Sequence, residues 1–200
     1  MVNPQLAERI EGVVRECAAL VDLTERDFDI LKERSEVLGN WANYLVKVFY
    51  DKLFFHEGTS KVLDSTPRSS LERTLKGWYL SLLKGNPDRE FWLRQWFIGL
   101  IHIARGVSNA YMLSAMSLLQ REFGKLCFQH FEEGEAWYIF EAFKKITDLI
   151  SVLIVEGYTD LYKKAVEGMS GIKPSLIDRM AFLESQKMWE AYKNERNPLG

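Results

Sequence analysis

The stretch "WFIGLIHIARG", residues 96–106, sets one imidazole, His102, among residues that are apolar or glycine on nearly every side. If the stretch is a helix, the neighbours of His102 at i−4, i−3, i+1 and i+4 are Ile98, Gly99, Ile103 and Gly106. None of them offers a polar side chain, yet a buried imidazole has two ring nitrogens to satisfy. One reading is a core histidine with a single hydrogen bond. The other is a metal on one nitrogen and a backbone carbonyl on the other. The glycines at i−3 and i+4 lie on the same helical face as His102. Their missing Cβ atoms predict a shallow, flat surface around the ring.

Working outward, almost every segment repeats its apolar residues with helical period and almost none alternates as a strand does. Leu6, Ile10, Val13, Val14 and Cys17 predict a first amphipathic helix over 4–20. Thr24 with Asp27 three residues on forms a capping box, flanked by Leu23 and Phe28, for a helix to about Leu38. Gly39-Asn40 breaks it, and "LVKVFYDKLFF" follows on a helix over 41–55. After a loop, Thr66-Pro67 predicts an N-cap and a proline at the first helical position, and that helix ends at Gly85. Asn86-Pro87 opens the helix that carries His102. Two long helices come next, about 108–131 and 135–167, parted by Gly134, and a last helical segment covers 175–194 beyond "GMSGIKP". The class is all-α, with about seven or eight helices joined by short turns.

Composition narrows the function. The net charge is −2, the two signs are balanced, and no basic stripe is present, which argues against a nucleic-acid partner. Cys17 and Cys127 stand far apart and read as reduced thiols of a cytoplasmic protein. "MVNPQLAERIEG" has neither the basic nor the apolar region of a signal peptide, and "LISVLIVEG" at 149–157 is about half of a bilayer span, so no membrane role is expected. There is no HExxH and no ExxH pair, and His56 and His130 lack a second ligand at useful spacing. A single histidine is too little for zinc but enough for haem, whose porphyrin supplies four nitrogens. Twelve Phe and six Trp suit such a pocket. A core histidine and a haem ligand both stand at this point.

Three stretches in order, "LVKVFYDKL" at 45–53, "LERTLK" at 71–76 and "IHIARG" at 101–106, with "AYM" at 110–112, resemble the globin-coupled sensors. The nearest likeness is to the haem globin domain of bacterial aerotaxis transducers, with protoglobins as relatives. The resemblance covers about residues 20–165. It implies an all-α, globin-like fold with an extra N-terminal helix (1–20) and a C-terminal helical extension. The sensor-type globin domain would span 1–170, and 171–200 would be a helical tail or linker.

The same resemblance implies haem b with iron on His102 as proximal ligand. Tyr50 would donate a hydrogen bond to bound O2 on the distal side, Thr74 would assist or compete there, and Leu71 would control access. Tyr111 would hydrogen-bond behind the histidine. Their plainer readings are a half-buried core tyrosine for Tyr50, a bond to the i−4 carbonyl for Thr74 and simple packing for Leu71. The family usually has Arg-Ile-Gly where this chain has Ala-Arg-Gly, and His102 to Tyr111 is one residue shorter here. The ligands expected are O2, with CO and NO as others. A homodimer through the helices at about 108–131 and 135–167 is implied. No output domain fits after the globin, so a single-domain sensor globin or a piece cut in the linker is expected. Two other readings stay open: a haem enzyme turning over NO or peroxide, and a haem-free globin-like interaction module. No reductase domain is visible for the first, and the second is expected to lose the proximal histidine.

Overall fold

The structure, a computed structural model, describes residues 4–196. What the sequence led us to expect for 1–3 and 197–200 lies outside the described residues. Ten α-helices and no strand are found among them: α1 Pro4–Leu20, α2 Glu25–Glu33, α3 Ser35–Asn40, α4 Ala42–Phe55, α5 Glu57–Leu63, α6 Arg68–Leu82, α7 Arg89–Ala104, α8 Asn109–His130, α9 Glu133–Ser170 and α10 Pro174–Arg196. The fold is all-α and globin-like, with α1 as the additional N-terminal helix and α10 as the C-terminal one. No described helix is long and apolar enough to cross a membrane.

The helix starts show why the boundaries fall where they do. The Thr24 N–H donates to Asp27 Oδ2 at 2.7 Å, so the box at the start of α2 is formed. α2 does not reach Leu38. It stops at Arg34 (φ −102°, ψ 12°), and α3 restarts one residue later. The segment expected to be a loop after Phe55 holds α5, because the His56 imidazole Nδ1 accepts the Thr59 N–H at 3.3 Å and caps it. Pro67 is the N-cap of α6 and not its first helical residue. Asp88, not Asn86, caps α7, its Oδ1 accepting the Phe91 N–H at 2.7 Å. Gly134 lies within the first turn of α9, so the break before that helix is at Phe131 and Glu132.

The first compact unit extends to Tyr158. Its core holds Trp96, Tyr79, Phe123 and Phe143 out of solvent, with the Phe123 and Phe143 rings stacked at 3.8 Å. The buried Tyr79 hydroxyl is satisfied by the Leu38 carbonyl at 2.8 Å. Within this unit α7 and α9 cross at two glycines. A Cβ on Gly99 would strike the Ile154 carbonyl and lie 3.1 Å from Gly157 Cα, and one on Gly157 would strike the Trp96 carbonyl. Gly99 therefore serves a close backbone approach and does not lay bare a surface around His102. The second unit starts at Thr159. Within it Lys163 pairs with Asp178 at 2.6 Å, and Leu176, Met180, Leu183 and Met188 are exposed.

Candidate functional site

His102 sits in the last turn of α7, and the way that helix ends fixes its surroundings. Gly106 takes φ +72°, a conformation that disfavours any side chain. The Val107 N–H then reaches back to the His102 carbonyl at 2.9 Å and the Gly106 N–H to the Ile103 carbonyl at 3.0 Å. These two bonds are the Schellman pattern. Gly106 is thus the helix stop, and neither glycine near His102 acts as a bare platform. The turn is also held from outside: the Tyr158 hydroxyl of α9 donates to the Val107 carbonyl at 2.6 Å. The Tyr158 ring stands edge-on to the His102 imidazole, 6.3 Å between centroids.

The imidazole lines a cavity of about 250 Å³. Helices α4, α5 and α6 contribute Tyr50, Thr59, Leu71 and Thr74 to its wall, and α7 and α8 contribute His102, Tyr111 and Met112. The cavity lies between two separate clusters of buried apolar side chains. Val46, Tyr50 and Leu71 form the smaller one, while Met112, Leu119 and Ile154 belong to the main core. A single domain commonly has one continuous core, so the slot between these clusters is a feature of the site. No acidic side chain lines it, and its one charged group among the described residues is Arg105.

The His102 Nδ1 is buried without a hydrogen-bond partner. Burial, and secondarily the Arg105 charge, push the imidazole pKa down to about 4. The ring is therefore neutral at pH 7, the form in which histidine ligates a metal. Tyr50 is buried, its hydroxyl donates to the Leu71 carbonyl at 3.2 Å, and burial pushes its pKa up to about 12. Leu71 itself is buried on the same wall. The Thr74 hydroxyl donates to the Ser70 carbonyl at 2.9 Å, the i−4 bond that threonine makes within helices.

All five residues singled out in the sequence thus border one cavity. Tyr111, expected behind the histidine, is placed otherwise. Its hydroxyl abuts Gly58 and its ring meets His56 edge-on at 5.9 Å. The tyrosine behind His102 is Tyr158, which sequence reasoning missed because nothing local ties it to residues so far back along the chain. Arg105 was also missed, although it lies one helical turn after His102. Among the described residues no group of three His, Cys, Asp or Glu side chains gathers to hold a metal ion. The features that fit a haem are a neutral imidazole with an orphaned nitrogen, a mostly apolar slot and a buried phenol on its wall.

Comparison with known proteins bears on the family and the fold. The sequence matches the protoglobin family over residues 11–164. The structure resembles the globin domain of a Geobacter sulfurreducens globin-coupled sensor, with TM-score 0.67 and 23% identity, over 72% of this chain and 96% of that one. It also resembles the globin domain of E. coli DosC in a ferric form, with TM-score 0.59 and 14% identity, over 72% of this chain and 99% of that one. No curated protein matches the chain.

Proposed function

Because the chain belongs to the protoglobin family, we propose that it binds haem b through His102 and reversibly binds O2, with CO and NO as further ligands, as a gas-sensing domain. The observation that carries this reading is the neutral, unpartnered imidazole on the wall of the slot between two apolar clusters. Two structural relatives are globin domains, one of a sensor protein, which supports the sensing role.

When bound, haem supplies an iron with one coordination position open to a diatomic gas. The residues of the chain do the rest. His102 offers its lone pair without first losing a proton. The Schellman turn and Tyr158 hold the end of the helix that carries it. Tyr50, Leu71 and Thr74 form the distal wall. The Tyr50 hydroxyl keeps its proton at any physiological pH and turns from the Leu71 carbonyl to a polarised ligand when one is present. Thr74 would likewise have to leave the Ser70 carbonyl, and its bond is the shorter, 2.9 Å against 3.2 Å for Tyr50, so Tyr50 is the donor of the pair and Thr74 the assistant. Tyr111 closes the cavity beside α5.

A second copy of the chain is the partner that the α8 and α9 surface suits. Leu113 of α8 and Val152 of α9 are exposed on one groove, beside Met116 and Val155.

The test is an absorption spectrum of the purified protein, ferrous under argon and then in air, beside His102→Ala. The expected result is a strong Soret band that shifts in air and is lost or altered in the variant. A protein that stays colourless with added haemin would overturn the proposal and leave His102 a core residue of a helical interaction module.

A further inference from the structure

The cavity wall carries one charged side chain, and that charge is unanswered. Arg105 makes no ion pair among the described residues, and no carboxylate lines the cavity. Arg73 and Lys76 of α6 adjoin the lining residues Thr74 and Leu75 but do not themselves line the cavity. Arg68, at the start of α6, is held by Asp51 at 2.6 Å and Glu72 at 2.7 Å. Arg105 is both exposed and part of the lining, so it stands at the rim of the cavity and does not lie inside it. Its charge reaches both His102 and Tyr50.

Its backbone is fixed. The Arg105 N–H donates to the Ile101 and His102 carbonyls, and the next two residues close the Schellman turn that Tyr158 pins. A cation carried by a fixed backbone at the rim of an apolar slot, with no protein anion on it, matches an occupant with an apolar body and an anionic edge. A guanidinium suits a carboxylate in particular, because its parallel N–H donors match the two oxygens.

We propose that Arg105 is the carboxylate-binding residue of this site and pairs with a propionate of the bound porphyrin. The inference rests on the haem reading above and adds the residue that orients the group's polar edge. Arg105 touches the cofactor's periphery, not the reacting atoms, so it is a binding residue.

The test uses the full chain freed of haem, titrated with iron-free protoporphyrin and with its dimethyl ester, which lacks the carboxylates. Binding is followed by quenching of tryptophan fluorescence, since Trp78 lines the cavity. Arg105→Gln is expected to weaken protoporphyrin binding roughly three- to tenfold and to leave the ester unchanged. Arg105→Lys should recover part of the loss, and added salt should narrow the gap between wild type and Arg105→Gln. Equal binding of protoporphyrin by wild type and Arg105→Gln overturns the proposal. So does an equal loss for diacid and ester, which would mark a damaged turn. Haemin titrated into wild type separates the two readings. If haemin binds and Arg105→Gln has no effect, only the Arg105 assignment falls. If wild type binds neither haemin nor porphyrin, the haem reading falls with it.

Discussion

A half-buried histidine held as a neutral base leaves a mark on stability as well as on ligation. The His102 pKa is about 4 in the folded chain, against about 6.5 for an unperturbed imidazole. Between those values the unfolded chain binds a proton that the folded one refuses, so folding weakens as pH falls. For the haem-free protein the loss should begin near pH 6.5 and be complete near pH 4, on the order of 3 kcal/mol. His102→Leu should remove that portion of the pH dependence. Urea midpoints of the two proteins from pH 7 to pH 4 check it, and parallel curves would mean that His102 is solvated. Tyr50 makes the second prediction at this scale. Its phenol remains a donor because burial holds its proton. A hydrogen bond of about one to two kcal/mol to a polarised ligand is worth roughly tenfold in affinity. Tyr50→Phe should therefore speed O2 release about tenfold, while CO, being less polar, leaves at nearly the wild-type rate. Stopped-flow ligand replacement measures both, and an unchanged O2 off-rate would remove Tyr50 from the distal role.

At the scale of helices, two glycines of α7 and α9 decide how closely those elements meet. Gly99→Ala would drive a methyl into the Ile154 carbonyl and the Gly157 Cα, both backbone, so the helices must part. The expected cost is about 1–3 kcal/mol. The parting should also disturb His102, which shares the helix. Gly77→Ala on α6 is the opposite case: its Cβ meets nothing within 4 Å, so the change should stabilise by about 0.5–1 kcal/mol. Thermal melts of the two variants should move in opposite directions. This pair marks where the sequence was legible. Periodicity revealed α1, α4, α6 and the two long helices because their apolar faces repeat along a single stretch. It also put Gly99 on the face of His102. It did not reveal that this face meets α9, because spacing within a helix carries no information about the neighbour it packs on. The same limit hid Tyr158. α5 was missed for a different reason: its N-cap is a histidine, which lies outside the usual capping residues.

At the scale of the molecule, the order of three short stretches was enough to place the chain in its fold, since each borders one cavity although they are far apart in sequence. The remaining question at this scale is what covers α8 and α9. Leu113 is 47% exposed and Val152 37% exposed, and both open on one groove whose floor includes Gln120, Asp148 and Ser151. That floor is already ordered from within, since Gln120 Nε2 donates to Thr147 Oγ1 at 2.9 Å and to Asp148 Oδ1 at 2.6 Å. Ser117 and Glu156 also line the groove, so a copy meeting it about a twofold axis covers the apolar Leu113 and Val152 while leaving the Glu156 carboxylate at the margin in water. An isologous interface doubles every substitution in it. Val152→Glu would place two carboxylates in the same contact, each losing water and neither gaining a partner. Sedimentation velocity at micromolar concentration should show a dimer for the wild type and a monomer for Val152→Glu. The absorption spectrum should not change, because Val152 lies outside the lining of the His102 cavity. A wild type that sediments as a monomer would leave the groove uncovered, and a variant that remains a dimer would place the interface on another face.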